Sequence, residues 1–265
     1  VQVLPFPITE RVEFTTVARS LEGQGAQMRA LSMLAWNQPI VVLATVEEVT
    51  QYVVSPQYVV SQSVHLEVSQ SIERDELLEK LVTIGYERVD QVEQRGHFAV
   101  RGDILDIYEL TAELPYRLEF FGDEIDGIRQ FDSDSQKSLD NLEHVIVSPA
   151  DDIILTREDY QRAEKALESA VSKAEGPHKA YLEEVLSVTI DGYRHKDLRK
   201  FLSLFYDNAY TLFDYLPKGT PVFIDDFQKI VDRHGRLELE VANLLTEDLH
   251  QGKSLSHLNY LVDSF

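Results

Sequence analysis

Apolar positions recur at helical spacing in the first part of the chain and then give way to one short, continuous apolar run. The spacing predicts a helix over Ser20–Trp36. The run Pro39–Ala44 is typical of a strand that is covered on both faces. Thr45 is placed to cap a following helix over Val46–Tyr52. This succession of strand and helix predicts a fragment of an α/β layer.

The pattern changes after residue 64, where short apolar stretches are separated by turn signals. A helix is predicted over Glu73–Ile84, because its leucines recur at helical spacing and Gly85 follows as a stop signal. The predicted strands are Tyr86–Glu93, His97–Tyr108, Tyr116–Phe121, Glu124–Phe131 and Val145–Val147. Residues 65–149 are therefore predicted to form a compact α+β module with an antiparallel sheet.

Helical spacing returns in residues 150–265. Helices are predicted over Arg157–Lys173 and His178–Leu186, and a longer one from Phe227 to about residue 245. An apolar strand, Pro221–Asp226, is expected before the long helix. The chain as a whole is thus predicted to be α/β, with segments 1–64 and 150–265 flanking the α+β module.

The composition limits the classes of protein to which the chain can belong. With 265 residues, of which 43% are hydrophobic, it can form about two folded domains, and a disordered chain is excluded. The absence of cysteine excludes a disulfide framework, a thiolate zinc site and a cysteine nucleophile. No apolar run reaches the roughly 18 residues of a membrane span, and the start lacks the basic region of a signal peptide. We therefore expect a cytoplasmic protein without a membrane partner, and the start at Val1 indicates a piece of a longer protein.

The charge disfavours nucleic acid as the main partner. The formal net charge is -21, whereas affinity for phosphate comes largely from lysine and arginine. Residues 65–149 are the most acidic segment, with 8 basic and 20 acidic residues. A protein partner is the better expectation, and arginines that face outward together in this segment would be exceptional.

The chemistry-bearing patterns do not support an enzyme. Val222–Asp226 is an apolar run that ends in two carboxylates, as in a Walker B strand, but no phosphate-binding loop with its lysine accompanies it. We interpret it instead as a buried strand with a solvated end. The eight histidines have no metal-ligand spacing, and no nucleophile elbow surrounds any serine. No cofactor, metal site or catalytic residue is predicted.

The strand Tyr116–Phe121 offers a candidate binding face. Because side chains alternate along a strand, Leu118 and Phe120 point to one face while Arg117 and Phe121 point to the other. Arginines and aromatic side chains together are enriched in binding hot spots. The pattern equally allows Phe121 to lie under a loop and Arg117 to pair with an acid opposite it, so both interpretations stay open. If the side chains of Arg117 and Phe121 are exposed, they contribute little to stability, whereas Phe120 on the other face contributes substantially.

Four motifs in the predicted module resemble one family of bacterial repair proteins. The chain is similar to UvrB and, more closely, to the N-terminal UvrB-homology module of the transcription-repair coupling factors (Mfd). The motifs are Phe98–Tyr108, Arg117–Ile125, Phe131–Gln136 and Ser148–Ala150, with weaker similarity at Ile40–Tyr52 and Phe213–Asp226.

Two departures favour the coupling factors over UvrB, an ATP-dependent helicase-like protein that clamps damaged DNA with a tyrosine-rich hairpin. The acidic box reads Asp225-Asp226-Phe227-Gln228, and the stretch Leu4–Glu10 lacks the clustered tyrosines that such a hairpin needs for contact with bases. The alternative, a fragment of an active UvrB-type helicase with ATP and damaged-DNA sites, remains open at this point.

The resemblance implies a function and a site. It implies that 1–64 and 150–265 are remnants of helicase-like α/β subdomains (1a and 1b) and that 65–149 docks onto UvrA. It implies that the chain recruits UvrA to a lesion-stalled RNA polymerase and is not itself catalytic. RNA polymerase, DNA and the ATPase motor would then belong to other parts of a longer chain. The family's docking residues fall on Arg101, Arg117 and Phe121, of which Arg101 rests mainly on the resemblance.

Overall fold

The structure is a computed structural model that describes residues 2–7, 21–153, 155–193, 195, 198–206, 208 and 210–255. The predicted stretch Leu4–Glu10 lies partly outside these residues. The described chain divides into two compact units, one of residues 2–7, 21–43 and 54–153, the other of residues 44–53 and those from 155 onward. The division into 1–64, 65–149 and 150–265 stays a prediction.

The described elements are helices and short strands, and the predicted mixture of α and β structure with an antiparallel sheet is confirmed. In chain order they are β1 (Gln2–Pro5), α1 (Leu21–Ala35), β2 (Ile40–Leu43), α2 (Val46–Val49), α3 (Pro56–Gln62), β3 (Val64–Glu67), α4 (Arg74–Thr83), β4 (Glu87–Arg88), β5 (His97–Arg101), β6 (Ile104–Ile107), β7 (Tyr116–Phe121), β8 (Glu124–Phe131), β9 (Ser138–Leu142), β10 (His144–Val147), α5 (Arg157–Lys173), α6 (Gly176–Ile190), α7 (Leu202–Phe205) and α8 (Phe227–His250). Two 3₁₀ turns, Leu198–Phe201 and Leu212–Tyr215, flank α7.

The first unit is built on a six-stranded sheet in the order β4-β5-β6-β7-β8-β9. All its pairs are antiparallel except β4 with β5. Leu105, Leu118 and Ile128 lie opposite one another across β6, β7 and β8, and all three are buried. This apolar row explains the strand pattern, because burial of each such side chain contributes about 1.5–3 kcal/mol.

Two tight hairpins close the same end of this sheet. Gly102 lies between β5 and β6 with φ +60°, and Gly122 lies between β7 and β8 with φ +64°. Both torsions are in the left-handed region, which glycine adopts without steric cost. The amide of Phe120 donates to the carbonyl of Asp103 at 2.8 Å and so connects the two hairpins.

A buried carboxylate, that of Glu109, connects the segment after β6 to the segment after β10. Glu109 is fully buried and accepts hydrogen bonds from the backbone amides of Thr111 (2.6 Å), Ala112 (2.9 Å) and Ser148 (3.3 Å). Burial raises the pKa of Glu109, although these hydrogen bonds oppose the shift.

Gly85 follows the C-terminal end of α4 and has φ +98°. A Cβ at this position would lie 2.6 Å from the backbone nitrogen of Asp151. Only glycine fits this helix end, as its stop role predicts.

The second unit is mostly helical. Thr156 forms a capping box with Asp159 at the start of α5, and the buried side chains of α5 and α6 include Ala163 and Leu182. Within the same unit Lys200 pairs with Asp248 at 2.6 Å. No helix in the described part of the chain combines the length and the apolar character that a membrane span needs.

Several predicted elements differ from the structure. β2 pairs with β1 in a two-stranded parallel sheet that leaves Val41 and Leu43 exposed, so the strand is not covered on both faces. The predicted strand Pro221–Asp226 is irregular, and Phe223 is 92% exposed, because no described strand pairs with it. The predicted strand His97–Tyr108 is two strands, since the turn at Gly102 divides it.

Candidate functional site

Arg117 is the second residue of β7 and lies on the same face of the six-stranded sheet as Asp106. Its Nε and Nη2 donate to the two carboxylate oxygens of Asp106 at 2.7 and 2.8 Å, directly across from it on β6. The guanidinium carbon lies 4.4 Å from the ring centroid of Phe131, and Nη1 donates to the carbonyl of Gln136 at 3.3 Å. Only 14% of the Arg117 side chain is exposed, so this arginine is held within the module.

The electrostatics of Arg117 agree with its geometry. Hydrogen bonding to Asp106 raises the pKa of Arg117, and the charges of Asp106 and Glu119 act in the same direction against burial. A bidentate arginine–carboxylate pair is among the strongest side-chain interactions in proteins. The interpretation in which Arg117 pairs with an acid opposite it therefore holds for this residue.

Phe121 is the last residue of β7, next to the Gly122 hairpin, and its exposure contrasts with the burial of Arg117. Its side chain is 83% exposed, whereas Phe120 beside it is buried. A large aromatic ring with so little burial contributes little to folding and is available to a partner. The interpretation of Phe121 as an exposed aromatic therefore holds.

Arg101 ends β5 at the same hairpin end of the sheet. Its Nε and Nη2 donate to the carbonyl of Asp90 at 3.2 and 2.9 Å, and the residue is exposed. The carbonyl holds one edge of the guanidinium in place without neutralising its charge. Arg101 is thus an oriented, charged group at the surface.

A further arginine of this face was not predicted from the sequence. Arg129 on β8 lies directly opposite Arg117 and forms an ion pair with Glu119 of β7. About a third of each side chain is exposed. The signal that could have found it is strand register, because residues opposite one another in an antiparallel pair share a face.

We call the surface formed by Arg101, Phe121, Arg129 and the edge of Arg117 the hairpin-end face. Arg101 and Phe121 lie at the hairpins and offer an oriented arginine and an aromatic anchor, whereas the paired Arg117 and Arg129 lie farther along the same face. Such a surface can bind a partner that places carboxylates beside an apolar pocket. It holds no arrangement for bond-breaking chemistry.

One carboxylate of the Walker-like motif, that of Asp226, has a local structural role. Asp226 is the N-cap of α8, with φ +53°, and accepts from the Lys229 amide at 3.3 Å. Its carboxylate also pairs with the ammonium of Lys229 at 2.6 Å. Among the described residues no group of three or more acidic or histidine side chains could hold a metal ion.

Comparison with known proteins finds one family model that matches the central part of the chain. Residues 64–152 match the family model described as the UvrB interaction domain.

Almost the whole chain is similar to transcription-repair-coupling factors. It is 32% identical over 262 residues to that of Bacillus subtilis (strain 168), which covers 96% of this chain and 22% of the relative. It is 28% identical over 248 residues to that of Staphylococcus aureus (strain bovine RF122 / ET3-1), covering 91% of this chain and 21% of the relative. The resemblance stated from the sequence motifs is confirmed. The chain spans about a fifth of the length of the relatives it matches.

Proposed function

We propose that this chain is the part of a transcription-repair coupling factor that recruits UvrA through the hairpin-end face. It would link a lesion-stalled RNA polymerase to nucleotide excision repair. RNA polymerase and DNA would be contacted through other parts of the longer protein. The similarity to coupling factors supports the repair role, and the geometry of the hairpin-end face supports the docking role.

The observation that carries the proposal is the exposure of Phe121 at the same end of the sheet as Arg101, within the matched module. An aromatic side chain that is 83% exposed gains most of its burial only when a partner covers it. Arg101 lies on the same end of the sheet, in the most acidic segment of the chain. A partner surface with carboxylates around an apolar pocket is complementary to both groups.

Arg117 has a different part in this proposal. Because its donors are occupied by Asp106 and Gln136, it holds the start of β7 in place rather than offering a free charge. Its loss would weaken UvrA binding mainly through disturbance of the strand that carries Phe121.

Binding of purified UvrA to the chain tests the proposal by calorimetry. Phe121→Ala is expected to cost about 2 kcal/mol or more of binding free energy, which is a loss of more than about tenfold in affinity. The matched control is Phe223→Ala, which removes another highly exposed phenylalanine outside the module. Equal affinity of the Phe121→Ala variant and the parent would remove the hairpin-end face from the proposal.

We further propose that the chain has no ATPase activity of its own. The sequence has no phosphate-binding loop, and Asp226 is occupied by its helix cap and by Lys229. An ATPase assay of the chain, with and without DNA, is expected to show only background. Turnover that Asp225→Ala abolishes would instead support the UvrB-type alternative.

Tight DNA binding is also not expected. With a net charge of -21, the chain offers few cations for the release of counterions from phosphate. A fluorescence titration with damaged and undamaged duplexes at about 150 mM salt measures this directly. Sub-micromolar binding would contradict the proposal.

A further inference from the structure

The first unit contains a cleft that has no part in the proposed docking. Its volume is about 590 Å³, within the roughly 300–1,000 Å³ of small-molecule sites. Its walls come from β1, α1, the segments around β4 and β5, and the chain after β6. The apolar part of the wall includes Leu4, Ala26, Leu110 and Ala150.

The wall from α1 carries an arginine with an unsatisfied donor. The Nε atom of Arg29 is buried and has no hydrogen-bond partner in the part of the chain that the structure describes. Burial lowers the pKa of Arg29 and the nearby charge of Arg95 lowers it further, whereas the charges of Glu109 and Glu113 oppose this shift. A buried N–H donor without an acceptor is costly. This arrangement is stabilised if an anion enters the cleft.

A second arginine borders the same cleft. Arg95 donates through Nε and Nη2 to the carbonyl of Ala112 at 3.1 and 2.9 Å, and its guanidinium carbon lies 5.1 Å from the ring centroid of Tyr108. These contacts fix its position, and neither of them neutralises its positive charge. Arg29 and Arg95 both line the cleft, and two guanidinium groups around one space are an arrangement that binds oxyanions.

A histidine adds another unsatisfied nitrogen to the wall of the cleft. His97 lines the cleft, and its Nδ1 is buried without a hydrogen-bond partner. Glu87 and Glu93 also line the cleft, so a polyanion would be repelled. The combination favours a ligand with one oxyanionic group on an apolar body.

We propose that this cleft binds a small organic anion, with one carboxylate or phosphate group held by Arg29 and Arg95 and an apolar or aromatic body against Leu4 and Leu110. The site lies in the first unit and involves none of the residues of the hairpin-end face. Its occupancy and UvrA binding can therefore be tested separately.

The test uses three probes with the same aromatic body. Phenyl phosphate and benzoate carry the two kinds of oxyanion, and benzyl alcohol is the uncharged control. Each is titrated into the 265-residue chain by calorimetry, and NMR follows the side-chain N–H signals of Arg29 and Arg95. At least one anion is expected to bind with a dissociation constant on the order of 1 mM and to shift both arginine signals. Binding of one anion alone identifies phosphate or carboxylate as the preferred group.

Substitutions decide whether the arginines are responsible. Arg29→Gln and Arg95→Gln are each expected to weaken anion binding by about tenfold. Arg74→Gln, which removes a charge from α4 outside the cleft, is expected to leave it unchanged. If Arg29→Gln fails to fold, Arg95→Gln still tests the site. The proposal is overturned if neither anion binds at about 50 mM, if benzyl alcohol binds equally well, or if both variants bind as the parent does.

Discussion

The start and the hairpin end of β7 carry residues of the same face in opposite situations. Arg117 near the start is covered by Gln136 and paired with Asp106, whereas Phe121 at the hairpin end is 83% exposed. Strand alternation assigns both side chains to one face, but it does not say which part of that face the rest of the module covers. The start of the strand therefore stabilises the module, and the hairpin end is free to bind.

The largest expected effect separates the two neighbouring phenylalanines of this strand. Phe120→Ala removes a buried ring and is expected to lower the free energy of unfolding by about 3–5 kcal/mol. Phe121→Ala is expected to change it by less than about 0.5 kcal/mol, because the ring is exposed. Urea denaturation followed by circular dichroism measures both. If Phe121→Ala unfolded the module, the end of β7 would be part of the core.

The next effect concerns Arg117 and revises an expectation drawn from the sequence. Arg117→Glu would place a carboxylate against the buried Asp106, and we expect a loss of about 3 kcal/mol of stability. If Arg117 were exposed, as expected from the sequence, this substitution would leave the stability unchanged. The same urea experiment applies, with Arg101→Glu as the control for the charge change. A loss for Arg117→Glu no greater than that for Arg101→Glu would contradict the pairing.

Sequence patterns predicted part of the sheet because its signals are local. The alternation from Tyr116 to Phe131 and the turn at Gly122 define β7 and β8 and the apolar row through Leu118, whereas the turn at Gly102, which separates β5 from β6, was missed. The cover over Arg117 could not be predicted in this way, because Gln136 reaches it from a different turn, with φ +59°. Whether a polar side chain is buried depends on such distant segments, which periodicity does not report.

The same reason explains the other differences. Val222–Ile224 has the composition of a buried strand, but burial requires a neighbouring strand, and among the described residues none pairs with it. The cleft was missed because it brings Arg29 and Arg95 together from distant parts of the sequence. A lone arginine on an amphipathic helix gives no signal of a binding site. Arg101, Arg117 and Phe121 as a docking site therefore stay a prediction that the geometry refines.

A smaller effect is expected at Arg101, which lies at the hairpin end. Arg101→Glu reverses a charge that the Asp90 carbonyl orients but does not neutralise. Loss of a charge-assisted hydrogen bond at an interface costs about 1.5–3 kcal/mol, so UvrA affinity is expected to fall by about tenfold or more. Arg236→Glu, an exposed charge reversal on α8, is the control in the same calorimetric titration. Equal affinities for the two variants would leave Phe121 as the sole supported member of the face.

The smallest effect is expected at Arg129, which pairs with Glu119 in the same part of the face as Arg117 but at the surface. Both partners are about a third exposed, so water screens their attraction and both side chains lose conformational freedom on pairing. A double-mutant cycle with Arg129→Gln and Glu119→Gln is expected to give a coupling free energy below about 1 kcal/mol. The corresponding cycle with Arg117→Gln and Asp106→Asn is expected to exceed it clearly, because that pair is bidentate and buried. Urea denaturation of the single and double variants provides both values. Equal coupling in the two cycles would mean that burial does not distinguish the two pairs, and the assignment of Arg117 as a covered, structural residue would not hold.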